Sequence, residues 1–284
     1  MQKLPKELPI VTFNLSGWNN KKWKEKTGLN WGDRLEKLCN FISTTIEDPF
    51  VIALQAVQLG GGRYLATLEQ AFPNFHIMLP KLYNPDANPR SAVNIILINN
   101  RYCSDSGYDI MGLEGLEGGG KLLYNYVQIA LEGHLSFKIL NVHIPCKPTD
   151  GQAGWYIGNR KLLADDFELI VRNTAEKIHS EPDPNLVILG DFNETPQSDY
   201  MLSLGSFVID LTPPNTRPAP TYRRQKTDYI LHSKNMSATV FSFKAENTYQ
   251  QPVVSGWTDH AMVVGELIVG GNDDKNRIDV TVQA

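Results

Sequence analysis

Seven polar residues stand where apolar runs stop. "VTFN" ends in Asn14, "LNVH" ends in His143, and "VILGDFN" reaches Asp191 with Asn193 two positions on; "KTDYIL" carries Asp228 at its start, and Asp259 and His260 stand immediately before "AMVVGELIV". Strand ends and their loops are where α/β proteins build sites. Taken singly, each residue has an ordinary explanation: a turn, an Asx cap, a half-buried structural histidine. Taken together they suit phosphoryl chemistry. Cleaving a phosphoester needs an activated water, neutralised phosphate oxygens and a stabilised leaving oxygen. Carboxylates and asparagine oxygens are the hard ligands that Mg²⁺ prefers, and a histidine oriented by a carboxylate is a general acid or base. Asp191 and Asn193, two apart on an extended segment, point the same way.

Other chemistries lack their residues. No Cys/His cluster has zinc spacing, no G-x-x-x-x-G-K-[ST] loop is present, and no G-x-S-x-G elbow is present.

The elements that must position this set follow from periodicity. "IVTFNLSG" reads as a strand and "WGDRLEKLCNFISTTI" as an amphipathic helix with Leu35, Leu38, Phe41, Ile42 and Ile46 on one face. "FVIALQAVQ" and "FHIMLP" read as strands flanking a helix in "GGRYLATLEQAF". "AVNIILIN" is apolar throughout, as in a sheet covered on both faces. "NYVQIALEG" and "LSFKILNVHI" form a hairpin pair. Leu163, Phe167, Ile170, Val171, Ala175 and Ile178 predict a long helix over 155–178. "LVILGD", "TDYILHS", "ATVFSFKA" and "AMVVGELIV" are further strands. So many strands exceed one comfortable open sheet and favour two stacked sheets with helices outside. No linker or fixed-period repeat divides the chain. The expectation is one domain over 1–270, with 271–284 a polar tail or an added strand.

In this order the motifs "TFNLSGWN", "LQAVQ", "NVHIP", "LGDFNETP", "KTDYIL" and "TDHAMV" resemble the endonuclease/exonuclease/phosphatase superfamily, whose members include deoxyribonuclease I, abasic-site endonucleases, sphingomyelinases and inositol polyphosphate phosphatases. They span residues 11 to 265. The resemblance implies a four-layer α/β sandwich: two facing, mainly antiparallel mixed sheets flanked by helices, with the site across their top. It also implies roles. Asp191 would polarise the attacking water and Asn193 would hold the phosphate. His260, oriented by Asp228, would be base or phosphate ligand, and His143 would contact the phosphate or assist the leaving group. Asn14 and Asp259 would lie by a Mg²⁺ ion, with Mn²⁺ as an alternative.

The departure is "LQAVQ". The family reads Leu-Gln-Glu, and its glutamate is the principal metal carboxylate; this chain has Ala56. Gln55 and Gln58 lack the charge, and strict alternation turns Gln55 to the opposite face. The implied activity, a divalent-metal-dependent phosphodiester hydrolase and specifically a nuclease, therefore belongs to an Ala56→Glu form. The chain as it stands is expected to be inactive or nearly so. An acid changed to alanine in an otherwise complete set reads as an introduced replacement. A natural pseudoenzyme that binds phosphodiesters without cutting is the alternative, as is a phosphomonoesterase acting on a phosphorylated metabolite or lipid headgroup.

Nucleic acid is the expected partner because of two basic stretches. "WNNKKWKEKTGLNW", read as a loop, interleaves lysines such as Lys22 with Trp18 and Trp23, a pattern suited to phosphates and stacked bases. "TYRRQKTDYI" brings Arg223, Arg224 and Lys226 just ahead of Asp228. Solvated loops whose tryptophans pack on the domain are the plain alternative. The net charge of −4 gives no attractive field for nucleic acid over the whole molecule. Three scattered cysteines and no apolar run of membrane-spanning length suit a cytoplasmic protein without membrane insertion.

Overall fold

Two six-stranded sheets face one another, each built around a single parallel pair. The computed structural model describes residues 7–17, 20–79, 92–102, 110–111, 124–131, 135–143, 155–157, 160–162, 186–198, 201–202, 208–210, 227–233, 241–249 and 257–269. Among them the chain runs β1 (Glu7–Asn14), α1 (Asn20–Thr27), α2 (Trp31–Thr45), β2 (Val51–Gln58), α3 (Leu65–Ala71), β3 (Phe75–Met78), β4 (Ala92–Asn99), β5 (Ile110–Met111), β6 (Tyr124–Leu131), β7 (Leu135–His143), β8 (Trp155–Ile157), β9 (Arg160–Leu162), β10 (Leu186–Asp191), β11 (Val208–Asp210), β12 (Asp228–Ser233), β13 (Phe241–Tyr249) and β14 (Met262–Val269).

The first sheet has the order β13-β14-β1-β2-β4-β3, the second β11-β12-β10-β7-β6-β5. In the first, β1 and β2 are parallel; in the second, β7 and β10 are. Every other pairing in these two sheets is antiparallel. Parallel neighbours need a long crossover, and α1 and α2 lie within the one that joins β1 to β2. The architecture is the α/β sandwich of mainly antiparallel mixed sheets that the motifs implied.

Alternation along β1 divides the core. Leu8 and Ile10 join Ala53, Ile96, Ile139, Val187, Leu189 and Ile230 between the sheets, while Val11 and Phe13 join Ile52, Leu54 and the helix residues Leu35, Leu38, Phe41, Ile42 and Leu68 outside the first sheet. Helix α2 starts at Asn30, whose side chain accepts the Asp33 N–H at 3.1 Å, and its apolar stripe lies on the sheet.

Two expectations change. The basic stretch read as a loop forms helix α1, because its lysines are good helix formers and Trp23 supplies a buried anchor. The long helix read from residue 155 starts too early, since β8 and β9 pair antiparallel there. The aromatic and β-branched residues Trp155, Tyr156 and Ile157 favour a strand, and the Leu163–Ile178 periodicity lies outside the described residues, as does the tail 271–284.

Candidate active site

The site lies along one edge shared by both sheets. Asn14, His143 and Asp191 end β1, β7 and β10, Asp228 opens β12, and Asp259 and His260 stand ahead of β14, separated from it by Ala261. Register makes them neighbours: Asp191 pairs with His143 on one side and with Asp228 on the other. Asn14 falls on the same face of β1 as Leu8 and Ile10, which turns it toward the second sheet.

Asp191 is the hub, and it is buried. Its Oδ2 accepts the Asn14 side-chain amide at 2.8 Å and the Asn193 side-chain amide at 3.3 Å, and its Oδ1 accepts the Asn193 backbone N–H at 2.8 Å. The Nε2 atoms of His143 and His260 lie 3.6 and 3.7 Å from the same Oδ2. Asp228 holds the other side of His260, whose Nδ1 is 3.0 and 3.2 Å from its two carboxylate oxygens.

Burial and mutual charge perturb these groups. Burial alone would lower the His260 pKa, but Asp228, Asp191 and Asp259 outweigh it and raise the value to about 9. Burial, together with the repulsion of Asp228, raises Asp191 well above the usual carboxylate range, although His260 and the bonds from Asn193 and Asn14 pull it back. Burial and the neighbouring His260 charge push His143 down to about 4, partly offset by Asp228. Near neutral pH the arrangement therefore holds one imidazolium and one neutral imidazole beside a carboxylate that protonates readily. Such a group can take a proton from a water at Asp191 and give one to a departing oxygen.

Three residues that the motif reading did not single out tie the site together. Thr258 Oγ1 donates to the Asn14 carbonyl at 2.8 Å and accepts the His260 N–H at 3.2 Å. Ser16 Oγ donates to Asp259 Oδ1 at 2.5 Å. Arg34 of α2, 1% exposed, donates through Nη2 to the carbonyls of Leu15 and Ser16 at 3.3 and 2.9 Å. Burial lowers its pKa to about 10, opposed by Asp259. Ser16 and Thr258 stood inside the quoted motifs, but nothing in the sequence distinguishes Arg34 from an exposed helical arginine.

Ala56 is fully buried with φ +55°. It sits in a β-bulge, where Leu54 pairs with Ile95 and Val57 with Val93, so Gln55 and Ala56 together oppose Asn94. Leu54 and Val57 both join the helix-side cluster. The extra residue takes position 56 out of that row, which corrects the strict alternation expected from the sequence. Gln55 points between the sheets, its Nε2 donating to Thr12 Oγ1 at 3.0 Å and Asn141 Oδ1 at 2.7 Å. Gly17 packs against the bulge so closely that a Cβ on it would lie 2.1 Å from the Ala56 carbonyl oxygen.

Asp191, Asp228 and His260 each offer a ligand atom, all within 4.8 Å of one another, and together could hold a metal ion. The set implied by resemblance is a different one, and it does not fit a hard cation. Ala56 offers no donor and the Asn14 oxygen accepts the Ser16 N–H at 2.9 Å, which leaves Asp259 as its one carboxylate.

Of the residues expected to touch substrate, Trp23 is buried at 2% exposure against Arg34, so its indole is not presented for stacking. The side chain of Lys22, and Trp18, Arg223, Arg224 and Lys226, lie outside the described residues.

No family model and no curated protein matches this sequence. Solved structures do. Humanized D. rerio TDP2 with 14 mutations superposes with a TM-score of 0.64 at 14% identity, covering 93% of this chain and 99% of that one. D. rerio TDP2 complexed with single strand DNA product gives 0.61 at 15%, covering 93% and 99%. The human Nocturnin catalytic domain with bound sulfate gives 0.61 at 15%, covering 94% and 96%. An endonuclease/exonuclease/phosphatase from Bacteroides vulgatus gives 0.61 at 14%, covering 93% and 100%. The chain has the fold of the endonuclease/exonuclease/phosphatase proteins.

Proposed function

We propose that the chain is an endonuclease/exonuclease/phosphatase-type phosphodiester hydrolase acting on nucleic acid, and that its activity requires an acid at position 56. The observation that carries this reading is the convergence on Asp191 of Asn14, His143, Asn193 and the His260–Asp228 pair, drawn from five separate stretches of chain. Asp191 takes the proton of the attacking water, Asn193 and Asn14 donate to Asp191 and keep it oriented, and the His260 imidazolium neutralises a phosphate oxygen. The departing oxygen takes its proton from the same His260 imidazolium, and neutral His143 contacts the phosphate. A divalent cation, Mg²⁺ or Mn²⁺, would supply further charge neutralisation once a second carboxylate joins Asp259. With Ala56 the site binds phosphodiesters and turns them over little or not at all.

Position 56 supports this reading. Non-glycine residues in the left-handed region cost roughly 1–2 kcal/mol, and the fold keeps one there in a bulge beside the site, a place where bulges re-aim functional side chains. The test compares the chain with its Ala56→Glu variant on single- and double-stranded DNA, RNA and phosphoinositides, with Mg²⁺ and with EDTA. Nucleic-acid cleavage that appears only with the glutamate and only with the cation is the expected result. Equal cleavage by both forms would overturn this account of position 56. Unchanged binding with no cleavage by either form would make the protein a phosphodiester-binding module.

A further inference from the structure

Helix α1 carries Lys21, Lys22, Lys24 and Lys26 against one acid, Glu25, in a chain of net charge −4. Its faces differ. Trp23 is buried, while Lys21, Lys24 and Lys26 are exposed. Lys26 leans back, its Nζ 4.9 Å from the Trp23 ring centre, whereas Lys21 and Lys24, three apart, share an exposed face.

The buried face fixes where the lysines stand. The Arg34 guanidinium lies between two indoles, 5.2 Å from the Trp23 ring and 4.8 Å from the Trp31 ring, and the same guanidinium bonds the carbonyls of Leu15 and Ser16. Those carbonyls belong to the turn directly after Asn14, whose amide is bonded to Asp191. One side chain thus fastens the basic helix to the turn that feeds the carboxylate hub. Arg34 Nε and Nη1 have no hydrogen-bond partner among the described residues, so the indole faces add to the two carbonyls and the Asp259 charge in compensating for its burial.

We infer that helix α1 docks the phosphate backbone of a nucleic-acid strand at the rim of the site, with Lys21 and Lys24 as contacts and the Arg34–Trp23 stack as the anchor. Charge complementarity names the occupant. Clustered ammonium groups on a chain that is acidic elsewhere attract a strand of successive phosphates, and each contact releases condensed counterions. For what happens to the strand afterwards, the inference rests on the proposed function; for binding it does not.

The test measures anisotropy of a labelled oligothymidylate with the Ala56 protein over a range of salt, against a Lys21→Ala/Lys24→Ala variant whose fold is checked by circular dichroism. Two lost contacts on a single strand should make the slope of log K against log salt shallower by about 1.4. An unchanged slope overturns the docking role. So does the absence of oligonucleotide binding, or tighter binding to phosphatidylserine vesicles than to the oligonucleotide. Hydrolysis of bis(p-nitrophenyl) phosphate by the Ala56→Glu form tests the site separately, because this small diester carries one phosphate and no strand for the helix to bind. Cleavage of the small diester with an unchanged slope discards the docking and keeps the site; a shifted slope without cleavage does the reverse.

Discussion

His260 shows how neighbours, rather than burial, decide a residue's charge. Burial by itself favours neutral imidazole, yet the carboxylates of Asp228, Asp191 and Asp259 raise its pKa to about 9. A histidine whose folded pKa lies above its unfolded value of ~6.5 contributes stability that is fully present below that pH and is lost as pH rises through about 9. The contribution is on the order of 3 kcal/mol. Urea midpoints measured between these limits should therefore fall for the parent protein and stay flatter for His260→Asn. His143 works in the opposite sense. Its pKa of about 4 gives stability present above ~6.5 and lost as pH falls through 4. Cys39 takes no part in such chemistry, since burial and Glu36 raise its thiol to about 12.

Among the elements, β10 shows most directly how backbone sets the site. Gly190 has φ +144°, and a Cβ there would stand 2.0 Å from the Val142 carbonyl oxygen. The glycine lets β10 approach β7 closely enough for Asp191 to pair with His143 in register. Gly190→Ala should force the strands apart and cost roughly 1–3 kcal/mol, as overpacking a close-packed core does, read as a lower urea midpoint. The bulge in β2 does comparable work on the facing sheet by withdrawing position 56 from the helix-side row. Bulge and glycine together bring the ends of two parallel pairs, one from each sheet, to a common edge.

For the whole molecule, the core between the sheets joins residues from β1 and β2 to residues from β7, β10 and β12. Gln55 and Asn141 bridge the same interface, and Asn141 Nδ2 also donates to the Leu54 and Ile95 carbonyls at 3.1 and 2.8 Å. Neither sheet keeps its inner face without the other. The proposed single domain over 1–270 should accordingly unfold in one transition, with far-UV dichroism and tryptophan fluorescence giving coincident curves; two separated transitions would divide the domain. No helix among the described residues is long and apolar enough to cross a membrane.

The sequence by itself determined the strand sites of Asn14, His143, Asp191, Asp228 and His260, because apolar runs mark strands and polar residues at their ends are hard to place elsewhere. It also determined the two-sheet class, through the number of those runs. Their convergence on Asp191 was not legible in the sequence, because it depends on register between strands far apart in the chain, as in the 2.8 Å bond from Asn14 to Asp191 across 177 positions. Nor was the bulge at Ala56 legible, since a bulge is defined by the partner strand as much as by its own residues. Helix α1 and the burial of Arg34 were hidden for a related reason: lysine spacing says that a segment is solvated on one side, but only packing decides that Trp23 and Trp31 close over a guanidinium on the other. Local chemistry fixes which residues can serve a site, and tertiary pairing decides which of them meet.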